Sequence, residues 1–262
     1  MTSPNAPDPM QLVLELAERV AALGREMDLP YVAISADIGS PEPMLGPDGR
    51  PLAETVFEWL DPGVEYWKDR GFALRSSLVH AARGSAEPFF YADGKFGTWR
   101  PSLALDALNA GDFEGDASSV GAAIVAPAYL PRGVIGAVVW ASRDRTLDVR
   151  AIFEARAETL HATVLKLMAA YRDATAHREV SAPVRLTRRE IQCLKWAAAG
   201  KTDSEVAEIV QIALPTVRFH ITNAARKLDV AGRSQAVHRA ATLGYIGGLE
   251  GPAAGRPRAA AG

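Results

Sequence analysis

Arg218, Thr222 and Arg226 follow one another at intervals of four residues, with Thr216 just before them and Lys227 just after. Residues four apart share a helix face, so this spacing would set guanidinium, hydroxyl and ammonium groups along one stripe. Such groups suit a polyanion. A guanidinium can meet the O6/N7 edge of guanine through two parallel hydrogen bonds, and a threonine can meet a phosphate or a thymine methyl. Arg218 is expected at a guanine edge and Thr216 at a phosphate or methyl. Arg226, Lys227 and Lys201 are expected at phosphates, which position a protein on duplex DNA without specifying sequence. The expected DNA-contacting set is Lys201, Thr202, Thr216, Val217, Arg218, Thr222, Arg226 and Lys227, with Val217 also counted in the inward stripe of the same helix.

Other chemistry is thinly represented. His80 follows Ser76 and Ser77 at helical spacing, but no acid or oxyanion partner stands out nearby, so catalysis is not expected. One cysteine and five scattered histidines give no metal-ligand spacing, and no cofactor is expected. Cys193 lies in an apolar helical run and reads as an inert buried thiol. Trp67, Phe72, Phe89, Phe90, Tyr91 and Trp99 crowd aromatic surface into one stretch, with Ser76 among them. Rings with a few polar groups suit a small-molecule pocket; they equally suit an ordinary core.

The basic stripe needs a helix, and the surrounding sequence supplies the signals for one. Thr187 and Glu190 have the spacing of a capping box, with Ile191, Leu194, Trp196 and Ala197 on the following apolar face and Gly200 as the stop. Thr202 or Asp203 caps a second helix, with Val206, Ala207, Ile209 and Val210 inward. The turn QIALP leads to a third helix over about 214–228. Pro215 is tolerated there because it lies near the start, and Val217, Ile221, Ala224 and Leu228 form the inward stripe. A fourth helix covers Ser234–Leu243. Two short helices joined by a tight turn, the second exposing Arg and Thr, make a helix-turn-helix.

The N-terminal part mixes strands with helices. Asp8 and Pro9 open a helix reaching about Met27. Strands are expected at Tyr31–Ser35, Glu87–Tyr91, Val120–Ala126 and Val134–Ala141, with a turn at Asp93-Gly94. Helical patterns fall at Leu52–Leu60, Gly63–Arg70, Ser76–Arg83, Ser102–Asn109 and Leu147–Tyr171. In the last of these, Ile152, Phe153, Leu160, Val164, Leu167, Met168 and Tyr171 share a stripe able to cover a sheet or to meet a second subunit. The expected architecture is an α+β sensor-like domain, a central antiparallel sheet with flanking helices over 1–172. A linker over 173–184, an all-α helix-turn-helix domain over 185–246 and a disordered tail over 247–262 follow.

Formal net charge is −2 for the whole 262-residue chain. From Ser181 to Ile246, however, ten Lys/Arg face five Asp/Glu, leaving residues 1–180 strongly acidic. A basic module joined to an acidic one points to a polyanion partner for the basic half. The opening MTSPNAPDPM has neither a basic start nor an apolar run, and VIGAVVWA is too short to span a bilayer. A cytoplasmic location without membrane contact is the expectation.

LTRRE, AAAGKTDSEVAEI, TVRFHITNAARKLDV and GRSQAVHRAATLGYI resemble the four-helix DNA-binding domain of LuxR-type bacterial transcription regulators. The resemblance implies a regulator of transcription, a homodimer on paired half-sites of double-stranded DNA, with a dimer contact through the last helix. Ala213 stands where the family often has a capping serine. RSSLVHAARGSAEPFFY and GVIGAVVWAS are similar to the autoinducer-binding domain of acyl-homoserine-lactone receptors. That resemblance implies a ligand site at Trp67, Phe72, Ser76, Phe89, Tyr91 and Trp99. Ser76 falls on the family's ligand-anchoring Asp, Ser77 on its Pro, Tyr91 on its Trp, Trp67 on its Tyr, Gly63 on a second Trp and Ala123 on a pocket glycine. With the carboxylate gone, the expected effector is a small molecule other than a standard acyl-homoserine lactone. The alternative is a regulator that needs no effector, or that sequesters a partner through this domain.

Overall fold

The computed structural model of the chain describes residues 8–61, 63, 66, 71, 75–110, 119–175 and 184–247. The described residues within 8–130 and 134–175 form one compact body, and those within 184–247 belong to another. In the first, the Asp8 carboxylate accepts from Met10 N at 3.0 Å and Pro9 opens helix α1 (Pro9–Glu26). Strands β1 (Tyr31–Ser35), β2 (Phe89–Ala92), β3 (Lys95–Gly97), β4 (Ala122–Tyr129) and β5 (Ile135–Ser142) form one sheet in the order β1-β5-β4-β2-β3. Every pairing is antiparallel, so this body is α+β.

Strands β4 and β5 are apolar throughout because both faces of the sheet are covered. Ile124, Ala126, Val138 and Trp140 face a core shared with α1 and the long helix α5 (Val149–Thr175). Phe153, Leu160, Val164, Leu167 and Met168 of α5 are buried there, while Ile152 and Tyr171 are partly covered. Trp140 is fully buried and donates its indole N–H to Val20 O at 2.9 Å, tying sheet to α1. Gly24 is required beside it, because a Cβ there would lie 2.7 Å from Leu29 O and 2.9 Å from Trp140 Cδ1. Ala123, Val125, Ala137 and Val139 face the opposite core, with Leu78, Ala81 and Ala82 of helix α3 (Ser77–Gly84) and Leu105 of helix α4 (Leu103–Asn109).

The sheet edges are satisfied by loops and side chains. Asp93 and Gly94 have φ of 50° and 78° and connect β2 to β3 in a two-residue turn; both backbones occupy the left-handed region such turns need. Asn109 accepts from Phe96 N at 2.7 Å and donates to Phe96 O at 2.9 Å, acting as a strand partner for β3. At the other edge, Val32 N donates to Glu58 O at 2.7 Å and Ile34 N to the Tyr66 hydroxyl at 3.1 Å. This edge contact explains one correction. The helical pattern of Leu52–Leu60 yields only a short helix α2 (Leu52–Thr55), and Glu58 O beyond it accepts from Val32 N of β1 instead of from a helical partner.

The remaining differences are mostly boundaries. Helix α5 starts at Val149 and runs on to Thr175, into residues expected as linker. Strand β2 begins at Phe89, with Glu87 outside it. Most of the expected helix over Gly63–Arg70, most of the expected linker and nearly all of the expected tail lie outside the described residues. No helix among the described residues is long and apolar enough to cross a membrane.

Candidate nucleic-acid interface

The second body contains helices α6 (Arg188–Ala198), α7 (Asp203–Val210), α8 (Leu214–Lys227) and α9 (Arg233–Thr242). Thr187 caps α6: its hydroxyl accepts from Glu190 N at 3.3 Å, and the Glu190 carboxylate accepts from Thr187 N at 2.7 Å. Gly200, with φ of 81°, follows the helix as its stop. Thr202 and Glu205 repeat the box at the start of α7, at 3.3 and 2.8 Å. Thr202 is therefore the cap and Asp203 the first helical residue. The Thr202 N–H, then the Lys201 ammonium and Thr202 hydroxyl, pull the Glu205 carboxyl down to about 2. Gln211 takes the left-handed conformation, φ 56°, and turns the chain between α7 and α8.

Helix α8 starts without a side-chain cap, since Ala213 offers none. Its inner side, Val217, Ile221, Ala224, Ala225 and Leu228, is buried. Two small cores hold the helix: Cys193, Val206, Val210, Val217 and Ile221 meet on one side, and Leu194, Ala224, Ala225, Leu228, Ala236 and Ala240 on the other. Burial pushes the Cys193 thiol up, as for an inert structural cysteine.

Thr216, Arg218, Thr222, Arg226 and Lys227 reach the surface of α8. Arg218, Thr222 and Arg226 line an open groove of about 710 Å3, completed by residues that include Asp203, Asp229 and Arg233. Arg218 is exposed, with Nε 3.8 Å from Asp203 Oδ2. The other oxygen of Asp203 lies 3.3 Å from Arg233 Nε, and Arg233 also donates to Lys201 O. Arg226 donates to Asn223 Oδ1 at 3.0 Å, one turn back along α8. Lys201 pairs with Glu205 at 3.1 Å.

Three placements depart from the expectation. Val217 is fully buried, so its side chain serves the core and not a groove. Ile209, expected inward, is 42% exposed, because Val206 and Val210 alone define the buried stripe of this two-turn helix. Lys227 donates to Glu190 Oε2 at 2.9 Å, across 37 residues of sequence. Sequence reasoning also passed over Phe219, which is 62% exposed. Its position outside the 217, 221, 224, 228 series was the available signal.

The expected ligand set is only partly brought together. Phe89 is fully buried and Tyr91 half-buried on the α3 side of the sheet, both against Phe96 at ring distances of 5.8 and 5.3 Å. Ser76 is buried and precedes α3, which packs on that side. Trp99 does not join them: it is 49% exposed and lies 5.4 Å from Phe153 of α5. Trp67 and Phe72 lie outside the described residues.

Residues 184–240 match the family of bacterial regulatory proteins, luxR family. Over 62 residues the chain is 55% identical to the HTH-type quorum sensing-dependent transcriptional regulator RpaR of Rhodopseudomonas palustris, covering 24% of this chain and 26% of that protein. It is 38% identical over 130 residues to the quorum sensing-dependent regulator VjbR of Brucella abortus, 47% of each chain. It is 28% identical over 189 residues to the transcriptional activator protein PhzR of Pseudomonas fluorescens, 70% of this chain and 72% of that protein. Among solved structures it is similar to SdiA of Escherichia coli, with a TM-score of 0.45 and 17% identity over 89% of this chain and 91% of that one. The matches to the first curated relatives span from about a quarter to a half of their length.

Proposed function

We propose that this chain, whose C-terminal module belongs to the luxR family of bacterial regulatory proteins, is a sequence-specific DNA-binding regulator of transcription. The observation that carries the reading is the construction of α8. Its inner side is locked into two small cores while Arg218, Thr222 and Arg226 stand on its outer surface. A rigid helix with guanidinium and hydroxyl groups outward fits the major groove, which is about 12 Å wide. The relatives named above are all transcription regulators, a non-enzymatic group, so the Ser76, Ser77 and His80 cluster is given no catalytic role.

In this reading the protein acts as a homodimer, placing two copies of α8 on half-sites about 34 Å apart. The N-terminal body senses a small molecule. Ser76 supports a signal other than a standard acyl-homoserine lactone, because a buried hydroxyl offers a neutral contact where a carboxylate would give a charge-assisted hydrogen bond about twice as strong. The same residue favours the second reading, an N-terminal body that needs no effector or that holds a partner protein. Fluorescence anisotropy on palindromic duplexes selected from a random pool tests the output. The full chain is expected to select one sequence, and Arg218→Ala to lose that preference; an unselective wild type would overturn the reading. Mass spectrometry of small molecules extracted from the purified protein separates the two readings of the N-terminal body.

A further inference from the structure

Opposite the buried side of α8 lies an aromatic ring. With a residue every 100° around a helix, the direction facing away from Val217, Ile221, Ala224 and Leu228 is occupied by Phe219, Arg226 and Pro215, with Thr222 and Asn223 beside them. Phe219 is 62% exposed, and its ring meets the edge of the neighbouring His220 imidazole at 5.8 Å. On the same face stand the exposed Pro215, Thr222 and Arg226 and the half-buried Asn223, with the exposed Arg218 toward one side. An apolar ring set beside guanidinium and hydroxyl groups complements a partner that is anionic overall and apolar at one point. Duplex DNA has that character in the major groove, where the thymine 5-methyl is the one apolar group among hydrogen-bonding base edges.

We propose that Phe219 is a specificity-determining residue that reads a thymine methyl in the major groove. The proposal rests on the DNA-binding reading above and adds to it a base and an atom. Phosphates offer a phenyl ring nothing, so Phe219 contributes selectivity without general affinity, whereas Arg226 on the same face contributes charge. Cytosine lacks the methyl, so a thymine-to-cytosine change at the contacted position loses this contact.

The test uses the full chain and the duplex it selects from a random pool, with each thymine replaced in turn by deoxyuridine. That exchange removes the methyl and leaves the hydrogen-bonding edge intact. The expected result is one thymine per half-site at which wild-type affinity falls about four-fold, the equivalent of one buried carbon. Phe219→Ala is expected to be insensitive at that position, with unchanged affinity for random duplex and an unchanged salt slope. Phe219→Leu, which keeps an apolar tip, is expected to retain part of the sensitivity. If the wild type selects a sequence and no uracil exchange weakens it, the proposal falls while the regulator reading stands. It falls in the same way if Phe219→Ala keeps the wild-type uracil profile; the ring then belongs to a protein contact. If the wild type selects no sequence, both fall together.

Discussion

Lys227 Nζ lies 2.9 Å from Glu190 Oε2, joining the last residue of α8 to the first turn of α6. Glu190 is almost wholly buried, and Thr187 N also donates to it. Burial alone would raise its carboxyl pKa, but Lys227 and the Thr187 donors outweigh it and the net value lies below the ordinary 4.5. Removing one partner of a fully buried pair costs about 3–5 kcal/mol. Lys227 keeps 34% of its side chain in solvent, which brings the expectation for Lys227→Ala down to about 1–2 kcal/mol. Thermal melts should show this loss in the helix-turn-helix module. A depressed carboxyl stabilises the fold above its unfolded pKa, and the contribution is lost as pH falls through the folded one. Wild type should therefore lose stability below about pH 4.5, and Lys227→Ala should lose less over that range. Because Glu190 already neutralises this ammonium, the salt slope of DNA binding should change little; a slope lowered by a full charge would place Lys227 on a phosphate.

Asp203 stands between two arginines, 3.8 Å from Arg218 Nε and 3.3 Å from Arg233 Nε. A carboxylate beside Arg218 restrains the guanidinium and subtracts from the field presented to phosphates. Asp203→Asn keeps the size of the side chain and removes the charge. Affinity for all duplexes should rise and the salt dependence steepen by about one phosphate contact. Discrimination between the selected and random sequences should narrow. Arg218→Ala should lose discrimination by about 1–3 kcal/mol at the guanine proposed for it. Anisotropy titrations at several salt concentrations resolve both effects. Equal salt slopes for Asp203→Asn and wild type would remove Asp203 from this role.

Ala213 caps the N-terminus of α8 without a side-chain hydrogen bond, whereas Thr187 and Thr202 close full capping boxes on α6 and α7. Ala213→Ser should stabilise the module by about 1 kcal/mol, seen as a higher melting temperature. No gain would mean that Pro215, which presets the backbone of the first turn, has already supplied the benefit of a cap.

These caps show how far local chemistry carries. Thr187 and Glu190, or Asp8 and Pro9, act within one turn, so their spacing alone announced the helix starts. The inward stripe of α8 was legible for the same reason, being periodic. Contacts between distant segments were not. Leu52, Val56 and Leu60 satisfy a helical pattern, yet the β1 edge recruits the chain at Glu58 and ends the helix. Trp99 is close in sequence to Phe89 and Tyr91 but lies against α5, because neighbours around a hairpin can serve opposite sides of a sheet. Lys227 reads as a charge for phosphates, and its bond to Glu190, 37 residues away, could not be read from spacing.

Ser76, buried ahead of α3, tests the proposed sensing role of the N-terminal body most directly. Ser76→Asp places a carboxylate at the position that the resemblance sets against the ligand-anchoring Asp of lactone receptors. Without a ligand, the buried group lacks its intended donor and its pKa rises. A raised carboxyl leaves stability intact below its unfolded value, near pH 3.9, and removes it as pH climbs. The variant should match wild type at about pH 4 and fall short by about 1–3 kcal/mol at neutral pH, the cost of an unsatisfied buried polar group. An acyl-homoserine lactone carries the amide N–H that such a carboxylate accepts. Added at a hundred times its Kd, it should return about 2.7 kcal/mol to the variant in a thermal melt and do less for wild type. Equal shifts for the two proteins would show that Ser76 does not sit at a ligand's polar end. The absence of a shift in either, with normal DNA selection by both, would favour an N-terminal body that works without an effector.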